Sequence, residues 1–250
     1  MSNKLFVRRQ SSDGDWISIS DLMAGLMMIF LFIAISFMNS LQRDAENIRQ
    51  MAVAYQELQD DLYEDLLEEF REDLDGWQAT IERESLAVRF TRPVTPGPTA
   101  LEPELLFAQG SANLTPRFST ILEQFFDRYI TILYSEKYRN DIDEIRIEGH
   151  TSSEWQGDTS EDIAYFENMR LSQERTRVVL QECLALIEGP AATARREWAQ
   201  QFITANGLSS SQLISDDEGN EDPERSRRVE FRTKTAAERR IVQIVREFES

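Results

Sequence analysis

A long uncharged run lies near the start of the chain, at residues 22–38, and most of its side chains are large and apolar. A buried helix of a soluble domain would show a polar stripe at helical spacing, but this run shows none after Asp21. Together with the small polar turn before it, the run approaches the roughly 20 residues that cross a bilayer core as a helix. The pattern predicts a transmembrane helix at residues 16–40, preceded by a cytoplasmic tail at residues 1–15.

Asp21 is the one acidic side chain of this predicted span. A charged side chain costs about 2.5–3.5 kcal/mol at the centre of a membrane helix on insertion scales, and less near its end. Ala24 and Gly25 follow one turn later on the same predicted face, where small residues allow another helix to pack closely. Two interpretations stay open from the residues alone. Asp21 either faces protein or a water-filled cavity, or it caps the helix at the membrane surface.

After the span, residues 41–85 contain no proline and place apolar side chains three and four positions apart, which is the spacing of a coiled coil. The first positions of this seam are Ile48, Met51, Tyr55, Leu58 and Leu62, and a second series with shifted phase follows at Leu66, Phe70, Leu74, Trp77 and Ile81. We interpret the many carboxylates between them as a solvated helix face. The sequence predicts a helical linker at residues 41–85 that pairs two copies of the chain.

Beyond a proline-rich boundary at residues 93–103, two periods alternate along the chain. A period of two predicts strands at residues 86–91, 142–148 and 228–232, with a further short strand near 212–215. A helical period predicts helices at residues 116–134, 163–187, 191–206 and 236–248. Strands interleaved with helices favour an α/β sandwich, here a domain at residues 86–250 that follows a single transmembrane helix and a long helical linker.

Composition excludes several classes of function. The formal net charge of -18 argues against a nucleic-acid partner. The single cysteine, Cys183, excludes a disulfide within the chain and is interpreted as a buried thiol, and the single histidine, His150, has no metal-ligand spacing with it. No serine–histidine–aspartate order or phosphate loop supports an enzyme, so a membrane-tethered hydrolase is the least favoured interpretation. We expect neither a metal nor a cofactor.

Four short motifs in the second half of the chain resemble those of OmpA-like peptidoglycan-binding domains. They are LFAQGSANL at residues 106–114, EGHT at 148–151, NMRLSQER at 168–175 and RRVE at 227–230. In that family, an aspartate holds the ammonium of diaminopimelate in the cell-wall peptide, and an arginine holds its carboxylate. A guanidinium suits this task because its fork of N–H donors matches a carboxylate. The resemblance implies Arg175 as the carboxylate ligand, with Asn168 in its supporting turn and Thr151 nearby.

The chain departs from the OmpA-like pattern at one position. The residue after Thr151 is Ser152, where the family has its aspartate. Asp158 or Asp162, in the lengthened loop before the next helix, could replace it as the ammonium ligand. For Arg175 the alternative to a ligand role is a salt bridge that supports the loop.

The order of the segments, with an aspartate in one span, a helical linker and an OmpA-like domain, resembles MotB-like stator subunits. The residues around Asp21, SDLMAGLM at 20–27, are more similar to the ZorB family of Zorya antiphage-defence systems. This resemblance implies that two copies thread through a ring, pentameric by analogy, of a multi-span MotA-like partner (ZorA). Asp21 would carry the translocated ion, a proton in preference to sodium, in a subunit of the bacterial inner membrane with its C-terminal domain in the periplasm. A flagellar stator subunit and a passive wall anchor without an ion path are the alternatives.

Overall fold

The computed structural model describes residues 13–91, 106–108, 110–155, 160–189 and 191–236, without the side chains of residues 13–19 and 51. The chain divides into two compact units, Met1–Val53 and Ala54–Ser250. The helix predicted at residues 236–248 lies outside the described part except for its first residue.

The first unit consists, in its described part, of one helix. Helix α1 spans Asp13–Phe70, so it begins in the first unit and ends in the second. From Ser20 onwards it is long and apolar enough to cross a membrane, and it is the one described helix of which this is true. Its large apolar side chains between Leu22 and Met38 are exposed, as is expected for a surface that contacts lipid or partner helices. Helix α1 therefore fits the predicted transmembrane helix.

The end of helix α1 corrects the predicted linker. The helix stops at Phe70, and the next elements are a short helix α2 (Leu74–Trp77) and a strand β1 (Ala79–Glu82), so the prediction of a helix up to residue 85 is wrong. Gln78 ends α2 in the left-handed conformation, with φ of 55°, and this reverses the chain into the strand. The apolar residues whose spacing suggested a continuing helix instead lie in the core of the second unit or pack against it.

The same burial corrects part of the predicted pairing seam. Leu62, which we predicted on the seam between two copies, is fully buried in the core of its own unit together with Leu66 and Phe70. Leu58 packs against that core from its edge. The three fully buried side chains are therefore not available to a second copy of the chain, whereas Leu58 is only partly buried. Pairing through Ile48, Met51 and Tyr55 stays a prediction, as does the division into domains.

The second unit is built on a five-stranded sheet in the order β1-β2-β5-β3-β4. Strands β2 (Ala87–Thr91), β3 (Ile142–Gly149) and β5 (Arg228–Thr235) confirm the three main strand predictions. Strand β4 (Ile203–Gly207) lies parallel to β3, and all other neighbours are antiparallel. Residues 203–206 were predicted as the end of a helix, and pairing of Ile203 beside Ile145 overrides that local pattern. Near 212–215 there is only an isolated bridge at Ser215.

The helices of this unit cover the sheet. Apart from the end of α1 and the short α2, they are α3 (Pro116–Leu133), α4 (Glu161–Ala185), α5 (Ala192–Phe202) and the short α6 (Pro223–Ser226). Helix α3 begins at Thr115, whose side chain accepts a hydrogen bond from the Phe118 backbone N–H. Its Phe125 packs edge-on against Phe90 and Phe231 of the sheet, at ring-centroid distances of 5.1 Å to each. The predicted α/β class is confirmed.

Two glycines let helix α4 lie unusually close to the sheet. A Cβ atom on Gly149, the last residue of β3, would lie 2.6 Å from a methyl group of Thr176. A Cβ atom on Gly207, the last residue of β4, would lie 2.2 Å from the backbone nitrogen of Gln173. No real side chain fits at such distances, so both positions require glycine. This close approach places residues 168–175 of α4 beside the turn that follows β3.

We predict that the end of helix α1 is an integral part of the second unit. In the fragment 54–250, Phe70→Ala should lower the free energy of unfolding by about 3–5 kcal/mol, because it empties a fully buried aromatic site. Glu68→Ala, an exposed neighbour on the same helix, should change that free energy by less than about 0.5 kcal/mol. Urea denaturation followed by circular dichroism measures both. Equal stability of the two variants would show that α1 does not belong to the core.

Candidate functional site

A cleft of about 770 Å³ lies at the end of strand β3. Four stretches of chain line it, at residues 106–110, 149–155, 168–175 and 227–229. These are the places of the four motifs found in the sequence, so the fold brings segments that are far apart in the chain to one surface.

Asn168 fixes the loop that forms one wall of the cleft. Its side chain is buried, and its amide nitrogen donates to the carbonyl oxygens of Ser152 and Glu154, at 3.2 Å each. Thr151 is also buried, and its backbone N–H donates to the carbonyl of Ser209 at 2.9 Å. The loop after β3 is therefore held from both sides, by α4 and by the segment after β4.

Arg175 lies on the opposite wall with its guanidinium held in a fixed orientation. Its Nε donates to the carbonyl oxygen of Ser111 at 2.8 Å, and its Nη2 donates to that of Ala108 at 3.4 Å. The guanidinium lies over the ring of Phe107, with its carbon 4.7 Å from the ring centroid, which is a cation–π arrangement. Arg175 therefore both lines the cleft and supports the loop before α3, without a carboxylate in either hydrogen bond.

Ser152 is hydrogen-bonded to Arg227, a residue that the sequence did not assign to the site. Its hydroxyl accepts a hydrogen bond from Nε of Arg227 at 3.1 Å. The same guanidinium donates to Glu224 at 3.0 Å and forms an ion pair with Glu154. Arg227 belongs to the RRVE motif, and Glu154 follows the EGHT motif at three residues, so both could have been suspected from their places. That these two side chains, 73 positions apart in the chain, pair with each other could not be predicted from the sequence.

The structure describes one of the two acidic residues that we predicted to replace the family aspartate. Asp158 falls outside the described residues. Asp162 is exposed in the first turn of α4 and is not among the described residues that line the cleft, so its role at the site stays a prediction. Its position is six residues before Asn168, which is roughly 240° around the helix axis and therefore on another face. Among the described residues, the carboxylate that lines the cleft is that of Glu154.

Beneath the cleft, the sheet carries a buried network of opposite charges. One oxygen of Glu230 accepts from Nε of Arg228 at 2.5 Å and from Nε of Arg89 at 2.9 Å. Burial alone would raise the pKa of Glu230, but the hydrogen bond and charge of Arg228 outweigh it and lower the pKa to about 2. Arg228 also donates to the backbone carbonyl of Gln212 at 3.0 Å. These bonds fix the start of β5, and with it the adjacent Arg227.

His150 lies on this network as a neutral side chain. Burial, followed by the positive charges of Arg228, Arg232 and Arg89, lowers the pKa of its ring to about 3. Its ligand atoms and those of Glu148 and Glu230 lie within 4.8 Å of one another, which is close enough for a metal ion. Guanidinium groups already neutralise both carboxylates, with Arg232 at 3.5 Å from Glu148. The cluster is therefore better explained as an ion-pair network than as a metal site.

No family model matches the chain. Among curated proteins, the Zorya protein ZorB of Escherichia coli strain Crooks is 43% identical over 244 residues, which cover 98% of this chain and 97% of the relative. Among solved structures, a MotB-like protein from Desulfovibrio vulgaris is 23% identical over 75% of this chain and 94% of its own, with a TM-score of 0.45. The cell wall anchor of the T6SS from Pseudomonas aeruginosa is 21% identical over 68% and 96%, with a TM-score of 0.41.

The match at this level of identity extends over nearly the full length of both sequences. The chain therefore belongs to the ZorB family of Zorya proteins.

Proposed function

We propose that this chain is the peptidoglycan-anchored, stator-type subunit of an ion-driven rotary motor in the bacterial inner membrane, and that it acts in antiphage defence. The proposal rests on two structural features that occur together in a chain of the ZorB family. One is the apolar helix with an acidic side chain, and the other is the arginine-lined cleft of the second unit. Neither feature has the arrangement of an enzyme active site, and we propose a non-enzymatic role.

The cleft supports the anchoring half of the proposal. The guanidinium of Arg175 is oriented before any ligand arrives, since carbonyl groups and the Phe107 ring fix its position. A preoriented fork of donors suits a carboxylate and lowers the entropy cost of binding it. The ligand implied by the OmpA-like resemblance is the diaminopimelate group of the wall peptide. Binding there would hold the subunit stationary on the cell wall from the periplasmic side.

Helix α1 supports the ion-driven half. Asp21 lies in the first turns of the apolar stretch, and Ala24 and Gly25 follow it at helical spacing. Moving one elementary charge through 100 mV releases about 2.3 kcal/mol, which a carboxylate that takes up and releases a proton could couple to motion. The partner would be a multi-span MotA-like ring, pentameric by analogy, around two copies of this chain. We favour the proton over sodium, and an N-terminus in the cytoplasm.

A passive wall anchor is the second candidate, and it needs the cleft but not Asp21. The position of a carboxylate in the first turns of an apolar helix favours the motor, because an acid within a span is costly and acids found there generally serve a function. The two candidates make opposite predictions for a change at this one residue.

We predict that Arg175→Ala weakens binding to purified peptidoglycan sacculi by roughly one to two decades, since a charge-assisted hydrogen bond contributes about 1.5–3 kcal/mol. Arg177→Ala is the matched control, because it removes an exposed arginine from the same helix outside the cleft. Co-sedimentation of the fragment 54–250 measures binding, and thermal melting monitors the loop that Arg175 supports. Unchanged binding of a folded Arg175 variant would remove the site assignment.

We predict that Asp21→Asn abolishes phage protection while the membrane complex still assembles. The amide has nearly the same shape as the acid, but only the acid can bind and release a proton. Plaque assays measure protection, and co-purification of the multi-span partner measures assembly. Full protection by the asparagine variant would rule out the motor and leave the passive anchor.

A further inference from the structure

The segment that connects strands β4 and β5 is strongly acidic, and most of its carboxylates have specific partners. Six of the nine residues at 216–224 are acidic. Four of these accept hydrogen bonds through their carboxylates, and they are Asp216, Glu221, Asp222 and Glu224. A run of charges that only solvates a surface does not need such contacts. The contacts therefore indicate a task for this segment within the fold.

Residues 214–222 form a small hairpin, which we call the β4–β5 hairpin. The backbone N–H of Asp222 donates to the carbonyl oxygen of Ile214 at 2.7 Å, and that of Asp216 donates to the carbonyl oxygen of Asn220 at 2.8 Å. The carboxylate of Asp216 also accepts from the backbone N–H of Asn220 at 2.9 Å. Its own hydrogen bonds therefore hold the hairpin together.

Both ends of the β4–β5 hairpin are tied to the short helix that leads into β5. The backbone N–H of Ile214 donates to the hydroxyl of buried Ser226 at 2.9 Å. Asp222 caps α6, because its carboxylate accepts from the backbone N–H groups of Glu224 and Arg225, at 3.1 and 3.0 Å. The hairpin is thereby fixed at the point where the chain enters the sheet.

Glu221 of this hairpin holds the loop after β3 with both oxygens of its carboxylate. One oxygen accepts from the backbone N–H of Ser153 at 2.9 Å, and the other accepts from the hydroxyl of the same residue. Ser153 stands between Ser152 and Glu154, which both line the cleft, whereas Glu221 is not among the described residues that line it. Hydrogen bonds to an ionised carboxylate are stronger than those between neutral groups. This double contact therefore fixes the loop without occupying the cleft.

We propose that Glu221 is a positioning residue for wall binding, which acts through Ser153 and does not touch the ligand. The inference rests on the proposed function, since it takes the cleft as the wall-binding site. A loop that is fixed before the ligand arrives loses less conformational freedom on binding, and this raises the affinity. Asn168 holds the same loop from α4, and the hairpin adds a support from a different part of the chain.

The test measures binding of the whole chain, residues 1–250 in detergent micelles, to purified peptidoglycan sacculi by co-sedimentation. Glu221→Ala should raise the Kd by about five- to tenfold, because it removes both hydrogen bonds to the loop. Glu218→Ala is the matched control, since it removes an exposed glutamate from the same hairpin, and it should change the Kd by less than about twofold. Equal binding by the two variants would overturn the proposal.

A conservative variant separates positioning from a general effect of the charge. Glu221→Gln keeps an oxygen that can accept from the backbone of Ser153 and gains an amide that can donate to its hydroxyl. Its Kd should therefore stay within about threefold of the wild-type value. A glutamine variant that binds as weakly as the alanine variant would contradict positioning through these hydrogen bonds.

Removal of the hydroxyl at Ser153 tests the same contact from its other side. Ser153→Ala should raise the Kd by about two- to threefold in the wild-type background and have no further effect in Glu221→Ala, because the two changes remove one shared contact. Additive effects would contradict the proposal. If Glu221→Ala does not melt cooperatively, Ser153→Ala alone decides, because it alters an exposed position, and an unchanged Kd would then overturn the proposal.

Failure of this inference can be told apart from failure of the proposed function. Sacculus binding that depends on Arg175 but not on Glu221 would overturn only the positioning role. Absence of sacculus binding by the wild-type chain would overturn both the anchoring function and the positioning role.

Discussion

The close packing of helix α4 on the ends of strands β3 and β4 is the constraint on which the candidate site depends. Gly149 and Gly207 have no side chain, and this brings the helix backbone against the sheet at the end of both parallel strands. At that distance the side-chain amide of Asn168 reaches the loop after β3 and donates to the carbonyl oxygen of Ser152. The same helix presents Arg175 about two turns later, on the opposite wall of the cleft.

A second constraint joins helix α1 to the fold of the second unit. The last turns of α1 bury Leu62, Leu66 and Phe70 in the core. Ion pairs surround this packing, with Arg128 bonded to Glu69 at 2.7 Å and to Asp73 at 2.8 Å. Such exposed pairs contribute little by themselves, so the apolar burial is the larger stabilising term. After Phe70 the chain turns back and adds strand β1 to the edge of the sheet.

The sequence predicted those parts of the fold whose pattern is local. Strands β2, β3 and β5 alternate apolar and polar residues because one face of each is buried, and α3 has a cap and a wide apolar face. Strands β1 and β4 were missed because pairing, and not their own period, decides their conformation. Strand β1 pairs with β2, which follows it directly in the chain, and β4 pairs with the distant β3. The apolar residues at the end of α1 have helical spacing whether they face a second chain or their own domain. The spacing alone therefore could not distinguish the two cases.

The site was predictable to a similar extent. Arg175, Asn168, Thr151 and Ser152 were assigned through motifs, and the fold brings them to one cleft. The partners of Ser152 could not be predicted, since Arg227 and Glu154 meet only after β5 has inserted between β2 and β3. Asp162 is close to the motif along the chain, but it lies on another face of α4 than Asn168.

Mapping of the bound wall peptide by nuclear magnetic resonance tests the central claim most directly. The ¹⁵N-labelled fragment 54–250 would be titrated with a soluble wall tripeptide that ends in diaminopimelate, and the backbone amide shifts would be followed. The account predicts that the changes concentrate in the segments 106–110, 149–155, 168–175 and 227–229, which line the cleft. Shift changes that cluster on another surface of the fragment, with these four segments unaffected, would contradict it.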